Sequence, residues 1–193
     1  MSTGDSASGG EQLEGAAEEL HRAALDATFT GFFSRHQPTV LRFLTRLESD
    51  RGLVEDVVQE AFLATRAKWA DVQSYGNPLA WVIAVARKIL ITNQAKRGRR
   101  PTVVLDDAVA EEIVAPTDAR EADELLAGWL RTMQPRLAAV WSLSQEGWPD
   151  REIALTLGLS YNTVRGYKAE ARSKLQQLAQ DAGFCTPAGR RRR

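Results

Sequence analysis

A single cysteine, Cys185, stands in a polar stretch near the end of the 193-residue chain, so no disulfide can form within it. That usage fits a reducing cytosol. No histidine stands near the thiol in sequence to activate it, and it reads as an ordinary exposed group. There are only two histidines. His21 and His36 stand apart, without carboxylate or cysteine company at ligand spacing, so no metal site is expected. A glycine-rich phosphate loop and a nucleophile–base set are both missing, so neither a cofactor nor a reaction of the chain's own is expected. The longest apolar run, around residues 79–86, is far too short to span a bilayer. The first residues are acidic and lack the apolar core of a secretory signal. Together these absences predict a cytoplasmic protein with no membrane insertion. Strand-like alternation is missing too, since Val103–Leu105 is too short to make a strand.

What the chain has is segregated charge. Twenty-five basic residues balance 25 acidic ones, so the total says nothing about a polyanionic partner. The distribution does. Acidic residues dominate 1–27 and 103–126, whereas basic residues collect in 87–100, in 165–174 and in Arg190–Arg193.

The pattern predicts an all-α protein of two small helical domains joined by an acidic linker. Residues 1–25 are rich in Gly, Ser, Ala and Glu, bury little, and are expected to be a disordered acidic tail. Helical spacing begins at Asp26, with Phe29, Phe32 and Phe33 on one face, and a second helix is expected to start at Pro38. Residues 26–100 form the first domain, 101–121 the linker, 122–180 the second domain and 181–193 a basic tail.

The second domain contains the stretch PDREIALTLGLSYNTVRGYKAEARSKL. A short helix from Pro149 to Leu157 is followed by Gly158, suited to a left-handed turn, and by Ser160, suited to cap the next helix. That is a helix-turn-helix, whose second helix lies in a major groove. On a helical wheel Val164, Ala171 and Leu175 face inward, flanked by Tyr167. Asn162, Arg165, Gly166, Ala169, Glu170 and Ser173 face outward, with Arg172 at the rim. Small residues among donors allow close approach to base edges, and Arg165 is the best placed to reach a guanine. The same pattern also fits an ordinary solvated helix pair, and Glu170 would repel phosphate.

Two features mark the first domain. Over 53–69 the residues Val54, Val57, Val58, Ala61, Phe62 and Thr65 make one apolar stripe, leaving Asp56, Gln59, Glu60 and Leu63 outward. Acid and amide groups at that spacing suit basic side chains on a partner helix, although a polar outer face also serves solvation alone. In the helix over 79–95, Val82, Ile83, Ala86, Ile89 and Leu90 read as core, and Trp81, Val85, Lys88 and Thr92 form a separate stripe. A ring beside a cation suits nucleic acid, and Arg87, Lys96, Arg97, Arg99 and Arg100 add a positive field. Core packing is the alternative reading of Trp81.

In order, FFSRHQPTVLRFL, DVVQEAFLATRAKW, NPLAWVIAVARK with RGRR, and the helix-turn-helix stretch resemble the bacterial extracytoplasmic-function (group IV) sigma factors over about 27–100 and 122–178. The resemblance implies a protein that binds core RNA polymerase and directs it to promoter DNA. Asp56, Gln59, Glu60 and Leu63 would then dock on the coiled coil of the polymerase β′ subunit. The loop Asp71–Asn77, with Tyr75 and Asn77, would capture a flipped base of the minus-ten element. Trp81, Arg87, Lys88, Thr92 and Lys96 would read the duplex beside it. Asn162, Thr163, Arg165, Gly166, Ala169 and Arg172 would read the minus-thirty-five element near the β flap. Many members of the family are held by an anti-sigma protein. The sequence departs from the family at Lys88, Thr92, Lys168 and Glu170. A DNA-binding regulator that never engages polymerase is the alternative. Because the acidic stretch 103–126 can reach the basic faces, the free lobes are expected to fold against each other or onto an inhibitor.

Overall fold

The computed structural model describes residues 6–98 and 119–184, all helices and turns. The expected linker apart from its last residues, Arg99, Arg100, Cys185 and Arg190–Arg193 lie outside the described residues. Eight helices follow in order: α1 Ser6–Thr45, α2 Arg51–Ala67, α3 Trp69–Val72, α4 Pro78–Lys96, α5 Ala119–Arg131, α6 Pro135–Gln145, α7 Asp150–Leu157 and α8 Tyr161–Asp181.

The first helix corrects two expectations. Residues 6–25 are helical rather than disordered, and no new helix starts at Pro38, which lies inside α1. Low apolar content does keep residues 15–24 exposed. Their Ala, Glu and Leu are nevertheless strong helix formers, and they extend a helix already nucleated by packing further along, so each added residue meets only the propagation cost. That packing is aromatic. Phe32 lies 4.8 Å from Trp69, Phe33 meets Phe62 edge-on at 4.9 Å, and the Trp69 indole N–H donates to Thr28 Oγ1 at 2.9 Å. Pro38 removes the amide that would bond to the Ser34 carbonyl. Phe32 before it and Val40, Phe43 and Leu44 after it hold both halves against the same core.

Helix α2 buries Leu53, Val54, Val57, Val58, Ala61, Phe62 and Thr65, so its apolar stripe is realised and extended by Leu53. Asp50 caps it, accepting from Leu53 N at 3.1 Å, and also pairs with Arg97 at 2.8 Å. Glu48, only 8% exposed, accepts from the amides of Ser49 and Asp50 and from Gln94 Nε2. This one carboxylate fastens the α1–α2 turn to α4. In the C-terminal half, α6 packs on α7 and α8, and α5 lies against α6.

The two halves are not separate bodies. Helix α4 packs on α7 and α1 on α6. One continuous core joins Val40, Phe43, Leu44, Val57, Ile83 and Leu90 to Ala139, Val140, Leu143, Ile153, Leu157 and Val164. The expected closure of the lobes is thus present, and apolar side chains make it among the described residues; residues 103–118 of the acidic stretch lie outside them. Of that stretch, Asp123 approaches Arg46 at 3.9 Å.

Phe43, 1% exposed, belongs to that core. Phe43→Ala is expected to lower stability by about 3–5 kcal/mol, because the cavity adds to the lost transfer energy. Denaturant unfolding with an unchanged m-value checks it.

Candidate nucleic-acid and partner interfaces

Three surfaces carry the residues singled out in sequence. The first is the outer face of α2. Asp56, Gln59 and Glu60 are exposed and have no hydrogen-bond or ion-pair partner among the described residues. Leu63, one turn on, is 67% exposed. Two like-charged carboxylates one turn apart repel each other modestly, so this face gains from an added cation.

The second surface is α4 with the loop before it. Asn77 caps α4, its Oδ1 accepting from Ala80 N at 3.1 Å, and Pro78 takes the first helical position, where no amide bond is lost. Asn77 Nδ2 donates to Glu152 Oε2 on α7 at 2.6 Å. Tyr75 in the loop is 46% exposed. The expected separate stripe divides in two. Trp81 and Val85 are half-buried against the common core, whereas Lys88 and Thr92 are exposed. The Thr92 hydroxyl donates back to the Lys88 carbonyl at 2.9 Å. Ile89, expected in the core, is half-buried. Lys96 is exposed; Arg87 is half-buried, and burial, with the neighbouring Arg136 guanidinium, holds its pKa below the usual arginine value.

The third surface is the helix-turn-helix. Gly158 adopts φ 63 and ψ 43, ending α7 in the left-handed region. Ser160 then caps α8, its Oγ accepting from Thr163 N at 3.0 Å. Val164, Ala171 and Leu175 are buried, and Asn162, Arg165, Gly166, Ala169 and Arg172 are exposed, as the helical wheel predicts. Thr163 is the exception: its hydroxyl lies 2.7 Å from Ser160 Oγ and serves the cap. The Arg165 guanidinium lies over the Tyr161 ring at 6.0 Å, which orients it at the entry of the helix. Glu170 pairs with Lys174 at 3.0 Å, which offsets its repulsion of an anion, and Lys168 is tied to Asp150 at 2.7 Å.

Sequence reading missed the charged contacts that join the surfaces. Glu146 Oε1 lies 3.1 Å from Arg42 Nε and 3.3 Å from Arg46 Nη1, and Arg46 is 7% exposed. These partners are about a hundred residues apart, and no periodicity links them. No helix among the described residues is long and apolar enough to cross a membrane.

Residues 32–100 match the family described as Sigma-70 region 2. The extracytoplasmic-function sigma factor SigF of Caulobacter vibrioides is 40% identical over 91 residues, covering 44% of this chain and 49% of that protein. The match thus spans about half the length of that relative. The sigma factor CarQ of Myxococcus xanthus is 27% identical over 83% of this chain and 94% of its own. Among solved structures, the sigma factor RpoE of Bartonella quintana, crystallised with the anti-sigma factor NepR, superposes with a TM-score of 0.64 at 23% identity. It covers 79% of this chain and 97% of that one, a likeness of fold.

The space around Gly158 is open to an added Cβ. Gly158→Ala is therefore expected to cost only the left-handed backbone penalty, about 1–2 kcal/mol, and Gly158→Asn distinctly less. Thermal unfolding of the three proteins checks the order.

Proposed function

We propose that this chain, which belongs to the extracytoplasmic-function family of sigma factors, binds core RNA polymerase and directs it to promoter DNA. It carries out no chemistry itself, the polymerase supplying catalysis, and it works in the cytoplasm. The single observation behind this is the outer face of α2: two carboxylates, a carboxamide and an exposed leucine on a helix whose opposite face is sealed in the core. An apolar centre inside a rim of two carboxylates and a carboxamide suits a protein partner. The partner is the β′ coiled coil, with the C-terminal lobe near the β flap. The domain division follows: residues 26–100 bind polymerase and the minus-ten element, and 122–180 bind the minus-thirty-five element.

At the minus-ten element Tyr75 and Asn77 receive the flipped base. Trp81, Arg87, Lys88, Thr92 and Lys96 follow the adjoining backbone and bases. Upstream, Arg165 reads a guanine edge between the small Gly166 and Ala169, with Asn162 and Arg172 on the flanking phosphates. An anti-sigma protein is proposed as a further partner, since a similar fold has been crystallised with one.

Joint Gln59→Ala and Glu60→Ala substitution changes only exposed side chains. It should leave the circular dichroism spectrum intact and abolish capture of core polymerase in a pull-down. Full capture would leave a DNA-binding regulator that works without polymerase. Arg165→Ala should relax preference at one upstream base pair by about 1–3 kcal/mol, measured by run-off transcription on a randomised promoter set. Equal loss on every sequence would assign Arg165 to a phosphate instead.

A further inference from the structure

We propose that the aromatic groove between α1 and the end of α2 is an anchor pocket for core RNA polymerase. The polymerase helix that lies along the outer face of α2 continues past Leu63 and seats one large apolar side chain between Phe29 and Phe33. The inference rests on the proposed polymerase role of α2 and extends that footprint onto α1.

Antiparallel packing builds the groove. Asp26 pairs with Arg66 at 2.9 Å, and Phe33, later on α1, meets Phe62, earlier on α2. Phe29 and Phe33 are thereby laid beside the last turns of α2. Phe29 stands edge-on to Trp69 with ring centroids 5.5 Å apart, and Phe33 stands edge-on to Phe62. Trp69 and Phe62 are themselves buried, so both groove rings are backed by the core. A cavity of about 210 Å³ remains, lined by Asp26, Phe29, Thr30, Phe33 and Arg66. Small-molecule sites usually measure ~300–1,000 Å³, so this volume suits a single large side chain. Phe33 is 38% exposed to it and to solvent.

Continuity with the outer face of α2 selects the occupant. Gln59, Leu63 and Arg66 succeed one another by one turn each along one line of the helix. Seven residues, about 10 Å, separate the carboxamide from the groove, so a partner helix needs only two turns to engage both. Charge changes along that line. Asp56 and Glu60 have no partner among the described residues, Leu63 is apolar, and Arg66 at the far end is neutralised by Asp26. A helix with a basic residue facing Glu60 is attracted at one end and meets no net charge at the other. Its apolar residue two turns on then falls at the groove, the spacing by which a helix docks through anchors on one face. A second copy of this chain would bring the same carboxylates together across a two-fold contact, which disfavours it. The exposed Asp26–Arg66 pair adds little to folding. As a polar rim beside an apolar anchor it has the form of an interface centre that excludes water.

The test uses the full chain and core polymerase. Thr30 is exposed, and its hydroxyl bonds only back to the Asp26 carbonyl of its own helix. Thr30→Phe puts a ring into the groove. It should weaken binding of core polymerase about tenfold, as the loss of one buried anchor does, with the circular dichroism spectrum and unfolding midpoint unchanged. Ala24→Phe, an added ring on the exposed helix away from the groove, should bind as the parent protein does. With p-benzoylphenylalanine in place of Thr30, irradiation should link the chain to the same polymerase subunit that is reached from Leu63. A Thr30→Phe protein that binds with parental affinity overturns the proposal. So does a crosslink to a second copy of this chain, or none to polymerase. Should Thr30→Phe fail to fold, the crosslink alone decides. Failure of the α2 reading shows separately, as parent protein that captures no polymerase or as full capture by the Gln59→Ala, Glu60→Ala protein.

Discussion

Burial of the α2 stripe is the constraint on which the N-terminal lobe depends. Val54, Val57, Val58, Ala61 and Phe62 are at most 4% exposed and pack between α1 and α4. A helix of 3.6 residues per turn that seals these positions has no choice about Asp56, Gln59, Glu60 and Leu63, which must face out. The same packing fixes α4, whose Val82, Ile83, Ala86 and Leu90 belong to that core. The surface proposed to grip polymerase and the helix proposed to read DNA are therefore rigidly linked through one layer of side chains, and a core that close-packs transmits position well.

Most of this was legible because it is periodic. The α2 stripe, the inward face of α8 and the Gly158–Ser160 turn are local signals, each decided within a few residues. Two local inferences failed where packing elsewhere set the outcome. Pro38 looked like a helix start, but apolar residues on both sides of it belong to one core and carry the helix through. Residues 6–25 looked too polar to order. Composition speaks to burial, and these residues, of which 15–24 are exposed, form helix by continuing one that is already nucleated.

The contacts between lobes were not legible at all. Arg46 and Glu146 are charged residues in unremarkable surroundings of sequence, and they lie a hundred positions apart. Removing one member of such a pair leaves a poorly solvated charge, which is why buried ion pairs act as registers for an arrangement more than as sources of stability. Arg46 fits that description: 7% exposed, it is held by Glu146 and Asp123 across the lobe boundary. Exposed pairs such as Arg120–Glu124 and Glu170–Lys174 contribute little by comparison.

The shared core also bears on the helix proposed to read DNA. A surface meant to stack against bases needs flat apolar groups, yet an exposed apolar patch on a free protein invites association. Of the residues proposed to read DNA there, Trp81 is such a group, and it is half-buried against the common core rather than fully displayed. The cations beside it need no cover, and Lys88 and Lys96 remain in solvent. In the proposed role, Lys88 and Lys96 attract phosphate from a distance, and ring contact follows. The order follows from range: charge is felt over about 8 Å at physiological salt, whereas stacking needs contact.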